Sequence, residues 1–395
     1  MTEWKEYKLG EVAEITSSKR IFYSEYVPNG VPFYRSKEII DLYNKRNVST
    51  ELFISEKRFK EIIEKFGAPK EDDILLTSVG SLGIPYKVKP NDRFYFKDGN
   101  LTWFKDIDKE KLLPDYLMYW LSSGVGKQKL EEITIGSTQA AFTISGLKTI
   151  IIEIPSINTQ RQITSILTSL DDKIDLLRRE KATLESMAET LFRQWFVVEA
   201  KEEWEEGKLG DILTVKGGTT PSTKEPSYWD GDIAWTSPRD VTTLKGLYLF
   251  ETEKRITQKG LEQISSGLLP AGTLLMSSRA PVGVLAFAEI PLAINQGYIA
   301  ILDDKGYPKE FIYLWLKANM DLVHSYSNGS TFMEISKSAF KSLDISIPSK
   351  GEVDCFVSEV KPYFEKIRTN EIQIRTLTKT RDGLLLRLMG GEIKI

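Results

Sequence analysis

The stretch that decides the fold occurs twice in this chain. Residues 3–12 read EWKEYKLGEV, and residues 203–212 read EWEEGKLGDI. Further pairs of similar segments follow in the same order: 31–39 with 233–241, 54–63 with 256–265, 74–83 with 273–283, 116–121 with 311–316, and 136–156 with 329–349. Ordered similarity along the whole chain indicates two tandem copies of one domain. Because the two copies have diverged, we expect them to bind two different ligands. The competing interpretation is a gene duplication that only enlarged the protein.

Short apolar runs alternate with turn residues inside each copy. They predict strands at 74–78, 101–105, 149–154, 273–277, 282–288, 298–302 and 342–347. Helical patterns accompany them at 55–65, 114–123, 257–265 and 308–318. The combination predicts an α+β domain with a mixed or antiparallel sheet.

A long amphipathic helix is predicted after each copy, over 159–196 and 352–390. Apolar residues recur every seventh position from Ile163 to Leu191, the pattern of helices that pack together as a coiled coil. We expect the two helices to lie antiparallel as a spacer between the domains, giving the chain a pseudo-two-fold relation. The predicted segments are 1–157 (first recognition domain), 158–199 (central helix), 200–349 (second recognition domain) and 350–395 (C-terminal helix).

Composition places limits on function. The formal net charge is −3, and residues 1–157 hold 23 basic and 23 acidic side chains, against 15 and 19 in residues 200–349. Neither copy has the strongly basic character of a protein that clamps phosphates unaided. If the chain reads DNA, a partner must supply much of the phosphate contact. The single cysteine and the lack of a long apolar segment lead us to expect a cytoplasmic protein without a membrane anchor.

Catalytic motifs are missing from the sequence. One histidine, His324, and one cysteine, Cys355, cannot form a His- or Cys-based catalytic centre or a zinc site, and His324 is expected on a helix surface. No phosphate-binding glycine loop is present. We therefore predict a binding protein that is not an enzyme and that holds no metal or cofactor.

Loops rich in hydroxyl, amide and cationic side chains follow the predicted strands at matched positions of the two copies. Arginine can bind guanine through two hydrogen bonds, Asn or Gln can bind adenine, and Ser, Thr and Lys suit phosphates. Such residues are also common in ordinary turns. The candidate DNA-binding residues are Lys19, Arg20, Arg35, Lys37, Ser78, Ser81, Gln139, Thr219, Thr220, Ser222, Thr236, Ser237, Arg239, Ser278, Arg279, Asn295, Gln296 and Thr331.

The long helices carry the most specific resemblance. Residues 170–197, which include LDDKID and end in LFRQWFV, resemble the central conserved region of specificity subunits of type I restriction–modification systems. Residues 377–393 resemble the C-terminal region of that family, and the openings at Trp4 and Trp204 and the segment 217–222 resemble the starts of its target recognition domains. Gly383 and Leu386 depart from the usual leucine and proline of the family. The resemblance spans the whole chain.

Membership of that family implies a function and a set of partners. Each recognition domain would read one half of a split target in double-stranded DNA. The helices would dock two adenine methyltransferase subunits, which carry S-adenosylmethionine, and restriction subunits would join the assembly. The candidate docking residues are Leu170, Ile174, Leu177, Leu184, Leu191, Trp195, Leu377, Arg381, Leu384 and Leu388. The alternative is a tandem-repeat scaffold that grips proteins and has no DNA specificity.

Overall fold

The computed structural model describes residues 4–136, 140–329 and 333–393. The chain divides into two compact units, one formed by residues 1–173 with 377–395 and the other by residues 174–376. Each unit combines helices with mixed β-sheets and contains one copy of the repeat, so the predicted α+β class with two tandem domains is confirmed. Each unit also includes part of both long helices.

The first unit contains small sheets surrounded by helices. Its strands are β1 (Lys5–Lys8), β2 (Glu14–Thr16), β3 (Tyr26–Val27), β4 (Val31–Tyr34), β5 (Phe53–Ile54), β6 (Ile74–Thr77), β7 (Pro85–Lys87), β8 (Tyr95–Phe96), β9 (Leu101–Lys105) and β10 (Ile151–Ile154). Its helices are α1 (Leu9–Val12), α2 (Ser36–Tyr43), α3 (Glu56–Phe66), α4 (Pro114–Ser122), α5 (Gly124–Glu132) and α6 (Ile144–Thr149). One sheet has the order β2-β9-β6-β7 and is antiparallel, and another has the order β3-β5-β4-β8 with a parallel β4–β8 pair.

The helix α7 (Ile157–Arg193) leaves the first repeat, and the second unit follows the same plan. Its strands are β11 (Glu205–Lys208), β12 (Thr214–Lys216), β13 (Trp229–Thr236), β14 (Tyr248–Leu249), β15 (Lys254–Ile256), β16 (Leu274–Ser277), β17 (Leu285–Ala288), β18 (Leu292–Ile294), β19 (Tyr298–Leu302) and β20 (Asp344–Ile347). Its helices are α8 (Leu209–Ile212), α9 (Pro238–Thr242), α10 (Gln258–Leu261), α11 (Lys309–Ala318), α12 (Met320–Ser325), α13 (Lys337–Lys341) and α14 (Lys350–Met389). The sheets have the orders β12-β19-β16-β17-β14 and β15-β13-β18.

The repeated opening motif closes each repeat onto its own end. In the first copy β1 pairs antiparallel with β10, with Lys5 opposite Ile154. In the second copy β11 pairs antiparallel with β20, with Glu205 opposite Ile347. Because each repeat begins and ends in one strand pair, the long helix starts directly where the repeat is complete.

The long helices pack against each other and against the repeats. Within the first unit Asp171 of α7 binds Arg381 of α14, and Leu167 and Leu388 lie in the same core as Tyr116. Within the second unit Lys181 binds Glu371, and Phe192 contacts Phe356. As the residue number rises along α7, the number of the contacting residue on α14 falls, so the helices run antiparallel within each unit, as predicted.

Several predicted elements are shorter than expected; the strand predicted over 342–347, for example, starts at Asp344. The helix predicted over 257–265 is limited to α10, because the chain turns so that the carbonyl of Gln263 and the amide of Ser265 bind the Thr219 hydroxyl. The strand predicted over 282–288 starts only at Leu285, after a turn in which Gly283 has φ +91°. The strand predicted over 149–154 starts at Ile151, because a Thr143-capped helix precedes it. As predicted, His324 is exposed on a helix surface.

Candidate nucleic-acid interface

In the first unit, the polar loops converge on residues 97–100, which we call the first central loop. The carbonyl of Asn100 accepts hydrogen bonds from the Ser78 amide at 2.8 Å and from the Ser36 hydroxyl at 3.4 Å. The amide of Lys97 donates to the carbonyl of Tyr34 at 2.8 Å. Loops that are far apart in sequence are therefore fixed side by side at one set of strand ends.

The loop of residues 17–20 is tied to the same place. The Ser18 hydroxyl donates to the carbonyl of Phe96 at 2.7 Å, and the amide of Lys19 donates to the Tyr95 hydroxyl at 2.7 Å. Burial raises the pKa of Tyr95, so the phenol stays protonated. Backbone and side-chain bonds thus hold this loop in one position, which is what a reading loop requires.

Candidate cations of the first copy lie on the surface around the first central loop. Lys19, Arg20 and Lys37 are exposed. Arg20 binds Asp98 at 2.8 Å, and its side chain remains 67% exposed while that of Asp98 is 17% exposed. Arg35 binds the fully buried Glu38 at 3.0 Å, and the pKa of Arg35 is raised chiefly by that hydrogen bond. Each arginine is positioned by a carboxylate while part of its side chain still faces solvent.

Not every candidate of the first copy faces solvent. The Ser78 hydroxyl is buried, 2.6 Å from the Thr102 hydroxyl and 3.1 Å from the carbonyl of Leu76. This placement favours a structural role between β6 and β9. Ser81 is exposed in the following turn. Gln139 lies outside the described residues.

The second unit repeats the arrangement around residues 295–297, which we call the second central loop. The amide of Ser278 donates to the carbonyl of Gly297 at 2.8 Å, and the amide of Asn295 donates to the carbonyl of Thr236 at 3.1 Å. The Thr220 hydroxyl donates to the Gln296 side-chain carbonyl at 2.7 Å. The structure thus brings the predicted loops of the second copy together.

Close backbone contact explains the glycines of these loops. A Cβ atom on Gly218 would lie 1.7 Å from the carbonyl oxygen of Ile294, and one on Gly297 would lie 2.7 Å from the Pro238 ring. No side chain fits at either position without moving the loops apart. The glycine-rich segment at 217–218 therefore serves loop packing.

Two candidates of the second copy are buried. Thr236 is fully buried, and its hydroxyl lies 3.0 Å from that of Tyr298. The Ser278 hydroxyl is buried without a hydrogen-bond partner among the residues that the structure describes. In the first copy, the matching hydroxyl of Ser78 lies against the hydroxyl of Thr102. In the second copy, the residue of β19 that matches Thr102 is Ile299, which has no hydroxyl. Thr219 and Ser237 are half-buried, Ser222 is exposed, and Thr331 lies outside the described residues.

The arginines of the second copy are held less firmly. Arg239 lies 3.8 Å from Glu253, and Arg279 lies 3.8 Å from Glu334. The side chains of Glu253 and Glu334 are 59% and 48% exposed. Long, solvated ion pairs contribute little to stability, so a phosphate or a base can replace these carboxylates at small cost.

Sequence reasoning missed the first central loop. The second central loop was predicted from Asn295 and Gln296, but its counterpart at 97–100 was not named. Leu101 lies opposite the last residue of β6, and Tyr298 lies opposite the last residue of the matching strand β16. Leu101 and Tyr298 are therefore equivalent, and this equivalence identifies the first central loop. That register places Asn100 at the position of Gly297, and it could have been found by extending the repeat alignment through this segment.

Docking candidates on the long helices lie largely inside this chain. Ile174, Leu177 and Leu388 are buried to 2% exposure or less. The remaining candidates, Leu170, Leu184, Leu191, Trp195, Leu377, Arg381 and Leu384, are half-buried. Leu184, Leu191 and Trp195 pack on the core of the second unit, and Leu384 and Leu388 belong to the core of the first. Other apolar side chains of the helices face solvent: Ile166, Leu176, Met187, Ile372 and Leu386.

Two other features are absent from the part of the chain that the structure describes. Among the described residues, no group of three or more His, Cys, Asp or Glu side chains is arranged to hold a metal ion. No helix within residues 4–136, 140–329 and 333–393 is long and apolar enough to cross a membrane.

The sequence matches the family described as "Type I restriction modification DNA specificity domain" over residues 1–186 and again over 201–378. The chain belongs to this family. Each matched region contains one central loop with its surrounding loops, so the two candidate interfaces fall in the two specificity-domain regions. The resemblance inferred from the sequence is confirmed.

Relatives and solved structures agree with membership of the family. The type I restriction enzyme MjaIX specificity subunit of Methanocaldococcus jannaschii is 36% identical over 185 residues, which cover 46% of this chain and 43% of that subunit. The type I restriction enzyme HindI specificity subunit of Haemophilus influenzae is 25% identical over 100% of both chains. The crystal structure of the S subunit of a type I restriction–modification system from M. genitalium has the same fold, with a TM-score of 0.62, 17% identity and coverage of 98% of this chain and 96% of that chain.

Proposed function

We propose that this chain is a non-catalytic specificity subunit whose two interfaces read the two halves of a split DNA target. Residues 1–157 would read one half and residues 200–349 the other. The observation that carries the proposal is the convergence of polar loops on a central loop at the same strand ends in both copies. Repeated domains that present different side chains from one framework are suited to two different half-sites.

Charge supports a need for partners. With a net charge of −3, the chain has no surplus of cations over carboxylates to neutralise phosphates, and phosphate neutralisation supplies most of the non-specific affinity for DNA. Two methyltransferase subunits would enclose the DNA, contribute that contact and carry S-adenosylmethionine, and restriction subunits would complete the assembly. The isolated chain should therefore bind DNA weakly, and the methyltransferase subunits should strengthen binding greatly.

A surface for those partners is available on the long helices. Leu176 and Met187 of α7 are 49% and 43% exposed, and Leu386 of α14 is 53% exposed. Apolar side chains exposed along a helix are suited to burial against another protein. We propose that these residues, more than the buried candidates such as Leu177, contact the methyltransferase subunits.

Exchange of the second repeat tests the proposal. Residues 200–349 would be replaced by the equivalent segment of a relative with a known target, because this segment includes both β11 and its partner β20. Glycine must be kept at position 246, since a Cβ atom there would lie 2.4 Å from the Glu371 carboxylate. The hybrid would be produced with the methyltransferase subunits, and methylated adenines would be mapped by sequencing.

One half of the methylated sequence should change and the other should stay the same. The matched control, exchange of residues 1–157, should change the opposite half. If either exchange altered both halves or neither, the assignment of one domain to one half-site would be wrong. If the parental assembly methylated no split target, the chain would have the alternative role of a protein scaffold.

A further inference from the structure

Two aromatic side chains project from the surface of the first unit beside the candidate interface. Tyr23 is 89% exposed and Phe22 is 62% exposed. Large apolar groups are costly to leave in water, and adjacent exposed rings at one tip are characteristic of a binding surface. We call residues 22–25 the aromatic tip.

The aromatic tip is held in a fixed shape. Residues 23–25 form one turn of 3-10 helix, and the Glu25 carboxylate accepts a hydrogen bond from the Phe22 amide at 2.8 Å. The same carboxylate binds Arg58 of α3 at 2.7 Å. The ring of Tyr23 packs edge-on against that of Tyr26, with 6.1 Å between centroids. The rings are therefore presented by a preformed turn, which reduces the entropy lost on binding.

The tip follows directly on the loop that the first central loop anchors. Arg20 is bound to Asp98, and only Ile21, which is buried, separates it from Phe22. Two residues span at most about 7 Å, so the tip lies beside the interface cations. Exposed Lys19 and Arg20 next to exposed rings form a surface that attracts phosphates and offers flat apolar groups to bases.

The second copy has the same turn with opposite chemistry. Pro226–Tyr228 form a matching 3-10 turn, and Glu225 occupies the position of Phe22. Hydrogen bonds from Ser227 lower the pKa of Glu225, so the side chain is negatively charged at neutral pH. A carboxylate repels the DNA backbone. The positions of the two rings, Phe22 and Tyr23, thus carry a carboxylate, Glu225, and a proline, Pro226, in the second copy.

We propose that the aromatic tip wedges Phe22 and Tyr23 into the base stack at the half-site read by the first domain, and that the second domain reads its half-site without such insertion. This inference rests on the proposed function. DNA is the occupant because cations flank the rings and because the tip continues a loop of the candidate interface. The two halves of the target are then read by different physical means.

The test uses the chain assembled with its methyltransferase subunits and a duplex containing the target found by methylation mapping. Each adenine of either half-site except the methylated one, which a methyltransferase takes out of the stack, would be replaced in turn by 2-aminopurine, whose fluorescence increases when stacking is lost. The parental assembly should give an increase at one such position of the first half-site and at none of the second. The double variant Phe22→Ala/Tyr23→Ala should lose that signal and bind the duplex roughly 10-fold more weakly, as expected for lost stacking on a base.

Two comparisons make the result specific. Tyr23→Phe retains a ring and should keep the signal, and Glu225→Ala at the matched turn of the second copy should bind at least as tightly as the parent. Parental affinity and fluorescence in the double variant would overturn the inference. Weaker assembly with the methyltransferase subunits but unchanged binding of DNA by the assembled complex would assign the tip to a protein partner and also overturn it. A parental assembly without specific binding would instead contradict the proposed function.

Discussion

The carboxylate of Glu371 in α14 accepts a hydrogen bond from the backbone amide of Tyr248 at 3.1 Å. The amide of Leu247 donates to the same carboxylate at 2.7 Å, and the ammonium of Lys181 in α7 lies 3.1 Å from it. Glu371 is only 7% exposed. One buried side chain therefore joins both long helices to the start of β14 in the second unit.

Removal of this carboxylate should destabilise the second unit. Glu371→Ala leaves two buried amides without their acceptor, and the Lys181 ammonium keeps only the Lys245 carbonyl and the more distant Glu185 carboxylate. The loss should cost about 3–5 kcal/mol. We expect a lower melting temperature and faster hydrogen exchange at the amides of Leu247 and Tyr248. Glu359→Ala, an exposed position on the same helix, is the control and should leave both measurements unchanged. Preserved protection at the two amides in the Glu371 variant would contradict this account.

Stability should depend on pH through Glu352. Hydrogen bonds from Lys201, Ser349 and Trp204 lower the pKa of Glu352 from the ordinary 4.5 to about 2. Because the folded state holds the ionised form, its contribution is complete above pH 4.5 and is lost as the pH falls from 4.5 towards 2. Glu352→Gln should lower the urea midpoint at pH 7, and its difference from the parent should narrow below pH 4.5. A difference that stayed constant down to pH 3 would exclude Glu352 as the cause, and exposed Asp354→Asn provides the matched control.

Arg20 and Arg279 should affect different half-sites. Arg20→Ala should weaken binding to one half of the target, and Arg279→Ala should weaken binding to the other half, each roughly 10-fold or more if the arginine binds a base. Competition between duplexes with one altered half-site, measured by fluorescence anisotropy, separates the two effects. Equal losses at both half-sites would show that the arginines contact only phosphates.

The acidic partner of Arg279 should oppose DNA binding. Glu334→Gln removes a carboxylate that lies 3.8 Å from the guanidinium and should raise affinity by roughly two- to five-fold, as expected for a weak surface pair. Asp303→Asn removes the same charge beyond the far end of β19 and is the control. The same gain in both variants would mean that net charge alone is responsible.

Asp171 should stabilise the first unit. Its carboxylate binds Arg381 at 2.6 Å and the Tyr119 hydroxyl at 2.7 Å, so it joins α7, α14 and α4. Asp171→Asn weakens both contacts and should cost about 1–3 kcal/mol, while the adjacent, exposed Asp172→Asn should cost little. Thermal unfolding of the two variants measures the difference, and equal melting temperatures would show that the contacts contribute nothing.

Much of the fold can be predicted from the sequence because the two copies of the repeat can be compared with each other. Strands such as β6 and β16 are continuous apolar runs in both copies, and the seven-residue pattern predicted α7 and α14 within a few residues. The closing strands β1 and β11 were not predicted. Their segments KEYK and EEGK are polar and largely exposed, so only pairing with a distant strand makes them extended.

The candidate site was predicted in outline, and its details depend on tertiary contacts. Lys19, Arg20 and Arg279 reach the surface as expected, but Thr236 is buried because a strand end that carries a reading loop also belongs to the core. The aromatic tip gave no sequence signal, since FYSEY is also a normal strand or core pattern. The turn that presents the rings is closed by a hydrogen bond that the Phe22 amide donates to the Glu25 carboxylate, a contact that periodicity does not reveal.

The core of the first unit contains residues from both extremes of the described chain. Leu388 and Met389 are buried with Leu9 and Val12 in one cluster. During translation, residues up to 173 leave the ribosome about 200 residues before Leu377 does, an interval of about 10–40 s at usual elongation rates. Throughout that interval the nascent first unit exposes the apolar surface that α14 later covers. Folding of the first reading domain is therefore completed only after Leu388 and Met389 have left the ribosome, and a premature stop near residue 376 would leave that earlier-made domain, rather than the later one, open to chaperones and proteases.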